Sequence, residues 1–508
     1  MVAEEMMTNQ SRRHFLKTMG SATLSAGSLS LFPHLGNQTS FSSAPMAFEK
    51  GKKPNIIFLM ADDLGYGDTG FNGNTVIKTD NLDAMAGEGI RFTRFYSIGP
   101  VCAPTRASCL TGRHYMRFGM MTVNIGKLPR QEITLARICK TKGYVTGHFG
   151  KWHLGALKQG VSPVRRGKRS EECAPPWARN YDESFVSEIN LATWNPMDLR
   201  GLRDKHRGPF WHNGEIVTES LEGSTSRILM DRAIPFIRKA TKEKKPFMTT
   251  IWFHAPHSPV RAGEKYRNLY SGLSEGEKHY YGCITAMDEQ IGRLRRELRE
   301  LGIENDTLIW FCSDNGPEGD GNPKPQYDPY QGSFYGETGG FRGRKRYLYN
   351  GGVCVPAVVV WPGVISFGQV VDLPCSVLDY LPTLCKAVGC NISERPIDGE
   401  SLIPLFGGKM KERTHSIPFA SNLRSPHAAL IRGEFKLCTD FSETSEEDAL
   451  YHLYKDPAEM DNLISKHPDL AASMKRELRE WVESCWKSYN GGDYPEPYEK
   501  QGIFLKYK

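Results

Sequence analysis

The chain has 508 residues, with 65 Lys and Arg against 58 Asp and Glu for a net charge of +7, and is 39% hydrophobic and 24% charged. This composition excludes a disordered, collagenous or coiled-coil chain, and at roughly 150 residues per domain the length predicts two or three domains around a sizeable core. The positive surplus is too small to imply a nucleic-acid partner, although it favours anions in general.

Near the start, Ser11-Arg12-Arg13-His14-Phe15-Leu16-Lys17 precedes a mildly apolar stretch from Met19 to Phe32 and a small-residue site at Ser42-Ser43-Ala44. The order resembles a twin-arginine export signal over residues 1–44. It implies the twin-arginine export machinery as a partner and a periplasmic or extracellular protein. The stretch is too short to cross a bilayer and no other segment approaches the roughly 20 apolar residues needed, so no transmembrane segment is predicted.

Asn55 to Met60 (NIIFLM) is a continuous apolar run opening into Ala61-Asp62-Asp63-Leu64-Gly65, the pattern of a strand buried on both faces that ends in a loop. A long segment from Lys158 to Pro209 is rich in Arg, Trp, Pro and Gly and has little periodicity, which marks a functional or mobile insert. Buried strands recur at 246–253 (PFMTTIWF), 307–312 (TLIWFC) and 357–361 (AVVVW). Between them, Ile284, Met287, Ile291, Leu294 and Leu298 share one face of a helix over 280–301, and a second helix is predicted over 377–388. Alternating buried strands and amphipathic helices predict an α/β fold, a large, mostly parallel sheet sandwiched by helices, over 45–410. From about Lys411 the segments shorten and alternate, notably 428–439, before a helix over 470–486, which predicts a smaller C-terminal α+β domain over 411–508.

Twelve cysteines form no Cys-x-x-Cys pair, so most read as small buried hydrophobes, with Cys102 and Cys173 set apart. Asp62 and Asp63 leave one buried strand and Asp314 and Asn315 leave another. Three carboxylates with an amide oxygen make a ligand set for a hard divalent ion, calcium first and magnesium second. Cys102 opens a short helix with Arg106 one turn later, an arrangement suited to an activated nucleophile or an anion. In Gly150-Lys151-Trp152-His153, residues two apart in an extended segment point the same way, so Lys151 and His153 can face one anion.

Cys102-Ala103-Pro104-Thr105-Arg106, extended by Thr111-Gly112, resembles the signature of the type I, formylglycine-dependent sulfatases of the alkaline phosphatase superfamily. Gly150-Lys151-Trp152-His153-Leu154-Gly155, Ala255-Pro256-His257-Ser258-Pro259 and the late Asp456-Pro457-Ala458-Glu459 are similar to further elements of that family, in the same order. The resemblance implies that Cys102 is converted to formylglycine (3-oxoalanine) by a formylglycine-generating enzyme and that its hydrate is the nucleophile. It implies a metal site of Asp62, Asp63, Cys102, Asp314 and Asn315, and catalytic roles for Cys102, Arg106, Lys151, His153, His257 and Lys345. Lys151, His257 and Lys345 would also bind the sulfate. The sequence departs from the family at Tyr349-Asn350-Gly351-Gly352, where Asn350 stands in place of Glu. Arg344 and Arg346 flank Lys345, so which of the three cations reaches the site is left open.

The insert over 158–209 carries Arg165, Arg166, Lys168, Arg169, Trp177, Arg179 and Trp194. Aromatic faces stack on sugars and guanidinium forks bind anions, so Trp177 and Arg179 are the expected contacts to a sulfated sugar or polysaccharide, with a solvated basic loop as the other reading. The expected activity is sulfate monoester hydrolysis. The rival readings are a phosphodiesterase or phosphonate monoester hydrolase of the same superfamily, and a non-catalytic sulfated-glycan-binding protein.

Overall fold

The computed structural model describes residues 53–504, apart from 166, 199, 201–207, 323–326, 331, 392–394, 441–447, 495–497, 499 and 501. The export signal expected over 1–44 and Arg166 of the insert lie outside the described residues.

The main sheet contains β1 (Asn55–Ala61), β2 (Ile90–Tyr96), β3 (Val145–Lys151), β4 (Glu183–Ser187), β5 (Trp211–His212), β6 (Glu215–Ile216), β7 (Phe247–Trp252), β8 (Thr307–Ser313), β9 (Cys354–Val360), β10 (Gln369–Val371) and β11 (Cys375–Ser376). Its order is β10-β2-β9-β8-β1-β7-β3-β4-β5-β6, with β11 paired to β2. The five strands β8, β1, β7, β3 and β4 are mutually parallel, while β9 runs antiparallel to both β8 and β2.

The unbroken apolar character of β1 follows from its central position. Ile56, Phe58 and Met60 enter one core, whereas Ile57, Leu59 and Ala61 enter a second core on the opposite face. The helix Glu275–Glu300 opens with a Ser274/Glu277 capping box and buries Ile284, Met287, Ile291, Leu294 and Leu298 in that second core. The predicted helix over 377–388 forms as a 3-10 turn, Val377–Asp379, continued by the helix Tyr380–Ala387. The ring of Tyr380 stacks on Phe58 at 4.8 Å.

Much of the sheet lies outside the predicted strands, β2 and β4 included. β2 carries Arg91 and Arg94, and β4 falls inside the segment read as a structureless insert, yet pairs in parallel with β3 from Gly147↔Glu183 to Lys151↔Ser187.

The C-terminal strands β12 (Ile417–Ala420), β13 (Ala428–Arg432), β14 (Phe435–Thr439) and β15 (Ala449–His452) form a second, antiparallel sheet in sequential order. The helix Pro468–Tyr489 buries Ala471, Met474, Leu478, Val482 and Cys485. Ile417, Leu430, Leu437 and these helix residues belong to the same core as Phe58 and Trp310. The second sheet shares the core of the first. Ten cysteines are buried, Cys173 and Cys390 are half-buried, and all twelve are free thiols.

Candidate active site

The carboxyl ends of four neighbouring parallel strands converge, and each delivers a polar group. Asp62 and Asp63 follow β1, Lys151 is the last residue of β3, His254 and His257 follow β7, and Asp314 and Asn315 follow β8. Asp63 adopts a left-handed backbone, φ 67°, which Asp tolerates better than most residues. The turn is held by Asp62 N donating to Ala255 O at 3.0 Å and Asp63 N donating to Asp314 Oδ1 at 3.1 Å. From a separate element, Cys102 begins the helix Cys102–Thr111, and its Sγ lies 3.5 Å from Asp62 Oδ1. Asp62, Asp63, Cys102 and His257 each bring a potential ligand atom within 4.8 Å of the others.

Three buried cations face these acids. Lys151 Nζ donates to Asp62 Oδ2 at 2.7 Å, and Arg106 donates to Asp314 Oδ2 from Nε at 3.0 Å and from Nη2 at 2.6 Å. Lys345 Nζ bridges both oxygens of Asp63 at 2.6 and 2.8 Å. Its neighbours turn away, Arg344 to the carbonyls of Glu318 and Gly336 and Arg346 to the Glu318 carboxylate. Lys345 is therefore the cation of the three that reaches the acids. Glu318, absent from the sequence expectations, lies 3.6 Å from Lys345 Nζ and steadies it; its only sequence signal is an acid four residues after Asp314.

The electrostatics of the cluster are strained. Burial pushes Asp63 up to about 7, reinforced by Asp62, Glu318 and Asp314 and opposed by Lys345. Burial also raises Asp62, but Lys151, Arg106 and Lys345 outweigh it and hold that carboxyl below its ordinary value. Asn315 donates from Nδ2 to Asp63 Oδ1 at 2.7 Å, while its buried Oδ1 has no hydrogen-bond partner. An orphaned amide oxygen beside crowded carboxylates, one of them short of compensation, fits a hard divalent cation.

The Cys102 thiol does not behave as an activated nucleophile. Burial and Asp314 drive its pKa well above the ordinary thiol value despite Lys151 and Lys345 nearby, so it remains protonated. The helix N-terminus expected to favour a thiolate is outweighed by desolvation.

His153 reaches the cluster differently from the extended geometry expected. β3 ends at Lys151, and His153 turns with φ 61°, its Nε2 3.2 Å from Asn124 Oδ1 and its buried Nδ1 without a partner. Burial, with Lys151 and Arg106, keeps the ring neutral. The Nδ1 of His257 donates to Ser258 O at 2.6 Å, which directs Nε2 towards Asp63 Oδ2 at 3.6 Å. His254 accepts the Leu191 N–H on Nδ1 at 3.1 Å, a contact that ties β7 to the loop after β4.

The insert residues differ in exposure, with Lys168 and Arg169 exposed. Arg179 is buried and donates to the carbonyls of Ala178 and Leu128, and Trp177 packs against the main core. Arg165 is buried between Glu172 and Glu188. Arg165 and Arg179 thus make internal contacts, while half-buried Trp177 keeps part of its surface exposed.

Asn350, the departure from the expected Glu, has a defined place. Its Nδ2 donates to Pro457 O at 2.9 Å and its Oδ1 accepts from Lys436 Nζ at 3.1 Å, while its backbone N–H donates to Glu459 Oε2 at 2.5 Å. Lys436 and Glu459 form an ion pair at 2.8 Å with no side-chain exposure, so Glu459 supplies the carboxylate that Lys436 requires. Lys436→Met leaves that carboxylate uncompensated and lowers unfolding free energy by about 3–5 kcal/mol, read as a shift of the urea midpoint.

A profile described as Sulfatase matches residues 54–390, and a second, described as N-sulphoglucosamine sulphohydrolase, C-terminal, matches residues 336–484. The chain belongs to the sulfatase family. Arylsulfatase A of Homo sapiens is 31% identical to this sulfatase over 450 residues, covering 81% of this chain and 84% of the relative. N-acetylgalactosamine-6-sulfatase of Sus scrofa is 33% identical over 382 residues, covering 71% and 67%. The crystal structure of Ps i-CgsB with k-i-k-neocarrahexaose superimposes with a TM-score of 0.71 at 26% identity, over 88% of this chain and 95% of that one. The sulfatase is thus a sulfuric ester hydrolase of the alkaline phosphatase superfamily.

Proposed function

We propose that the sulfatase hydrolyses a sulfate monoester on a carbohydrate, with residue 102 acting as formylglycine and a calcium ion at the acidic cluster. The observation that carries this reading is the convergence of Asp62, Asp63, Cys102 and His257 within 4.8 Å of one another, with the orphaned Asn315 Oδ1 beside them and Lys151 and Lys345 donating to two of the acids. Asp62, Asp63, Asp314, Asn315 and residue 102 would hold the ion, calcium before magnesium, which would supply positive charge to the nucleophile and the ester. Formylglycine would supply a hydrated aldehyde, with one hydroxyl to attack and a second to allow release of sulfate.

The chain's own side chains carry the remaining work. Lys151 and Lys345 bind the sulfuryl oxygens and offset charge as the S–O ester bond breaks, while Arg106 fixes Asp314. His257 Nε2 delivers a proton to the leaving oxygen. Burial, Lys345 and Lys151 hold its pKa well below the ordinary value, and the anionic ester restores the charged ring by sitting beside it. Neutral His153, with its lone pair on Nδ1, takes the proton released at the second hydroxyl.

A sugar substrate is supported by the names of relatives, which include an N-acetylgalactosamine-6-sulfatase and a protein crystallised with a neocarrahexaose. Conversion of Cys102 by a formylglycine-generating enzyme and export by the twin-arginine route belong to the same proposal. Among the described residues no helix is long and apolar enough to cross a membrane.

Sulfate and phosphate esters of one aryl alcohol test the reading. The expected result is release of sulfate that falls at least about a hundredfold with chelator and returns with calcium. Preference for the phosphate ester would favour the phosphodiesterase or phosphonate hydrolase reading. A folded, formylglycine-bearing protein without turnover would favour the glycan-binding one.

A further inference from the structure

The sulfate-sized cluster opens at Lys345 into a cleft of about 1170 Å³ between the 318–349 segment and the loops of the C-terminal sheet. That volume exceeds the roughly 300–1,000 Å³ of a typical small-molecule pocket, so it accommodates more than a single sulfated sugar. Most of its charged lining is already committed. Arg342 donates to the Tyr451 hydroxyl and Glu459 O, Arg344 to backbone carbonyls, Arg346 to Glu318, and Asp448 pairs with Lys475. Arg424 differs. It is exposed and, among the described residues, has no hydrogen bond or ion pair, and its guanidinium lies 5.3 Å from the ring centroid of half-buried Tyr347.

Resting on the sulfatase reading above, we propose that this cleft binds an oligosaccharide carrying a second anionic group. Arg424 would grip that group while the sulfate being hydrolysed sits at Lys345. A guanidinium beside an aromatic face offers a fork for sulfate or carboxylate and a surface for the apolar side of a pyranose. Because Arg346 is paired with Glu318 and Lys345 is taken by the sulfate being hydrolysed, Arg424 is the lining cation left for a second anion on a neighbouring sugar. The substrate class is therefore a polyanionic glycan, and the second anion enters through affinity, without a part in bond cleavage.

Inhibition of aryl sulfate hydrolysis by glucose 6-sulfate, sucrose octasulfate and trigalacturonate tests this on the wild type, Arg424→Ser and Arg424→Glu. The octasulfate is expected to inhibit the wild type at least about tenfold more strongly than the monosulfate. Arg424→Ser is expected to remove about tenfold of that advantage, the size of one lost charge-assisted hydrogen bond, and Arg424→Glu more, with kcat/KM for the aryl sulfate unchanged. Arg424-dependent inhibition by trigalacturonate assigns a carboxylate as an accepted anion; its absence assigns sulfate alone. Equal inhibition by mono- and octasulfate, or an advantage that survives in Arg424→Ser, overturns the proposal. Should the wild type release no sulfate from the aryl ester, the hydrolytic mechanism fails instead. Calorimetric titration of sucrose octasulfate into wild type and Arg424→Ser then still reads the cleft.

Discussion

Cys102→Ala lowers kcat/KM for an aryl sulfate by at least about a thousandfold, the scale seen when a covalent nucleophile is removed. Cys102→Ser falls comparably, which separates this site from an ordinary serine or cysteine hydrolase. A cysteine nucleophile would need to ionise, and burial with Asp314 close by holds the Cys102 thiol protonated. A serine would offer one hydroxyl where the proposed hydrate offers two, so a sulfated serine would have no internal route to release. The companion measurement is the mass of the peptide spanning residue 102, expected to be lighter than its cysteine form by loss of the sulfur and two hydrogens in exchange for a carbonyl oxygen. Full activity from a protein whose Cys102 peptide is entirely unmodified would sink the mechanism. Normal melting behaviour of both variants is the control, because Cys102, though buried, belongs to neither apolar core.

Lys345→Met is the second large effect, a loss of about 10²–10³ in kcat/KM with kcat falling more than KM rises, as for a donor acting on charge in the transition state. Lys345→Arg is not expected to restore it. The Nζ atom sits 2.6 and 2.8 Å from the two oxygens of Asp63 and 3.6 Å from Glu318, and a longer guanidinium, with its charge spread over a plane, would not place a point charge there. A purely structural role for Lys345 would appear as lost stability with kcat preserved in the folded fraction.

The sequence was most informative where chemistry and burial coincide. β1 and β8 read as strands because both faces are covered, and the polar groups at their ends stood out against those apolar runs. Strands with one exposed or charged face were missed, as with β2 and its Arg91 and Arg94, and β4 was hidden within five residues of a polar segment. The helix Thr225–Lys242 also went unread, since Pro235 interrupts its pattern. Charge alone misled at the substrate rim. Arg165 and Arg179 look solvent-facing in a basic loop, but Arg165 pairs with Glu172 and Glu188 of the same insert and Arg179 donates to the Leu128 carbonyl before it. The cleft of Arg424 and Tyr347 had no sequence signature, because it exists only where the C-terminal sheet meets the segment carrying Lys345.

Every proposed catalytic side chain precedes residue 346, which gives the final third of the chain the look of an appendage. The Lys436–Glu459 pair removes that impression. Glu459 accepts the Asn350 backbone N–H, and Lys436 Nζ donates to both the Leu348 carbonyl and the Asn350 side-chain oxygen, so the C-terminal sheet grips the chain a few residues beyond Lys345. The aim of one ammonium group is thus set by residues roughly a hundred positions downstream. The final third of the chain thus belongs to the working site by support, although it contributes none of the proposed reacting groups.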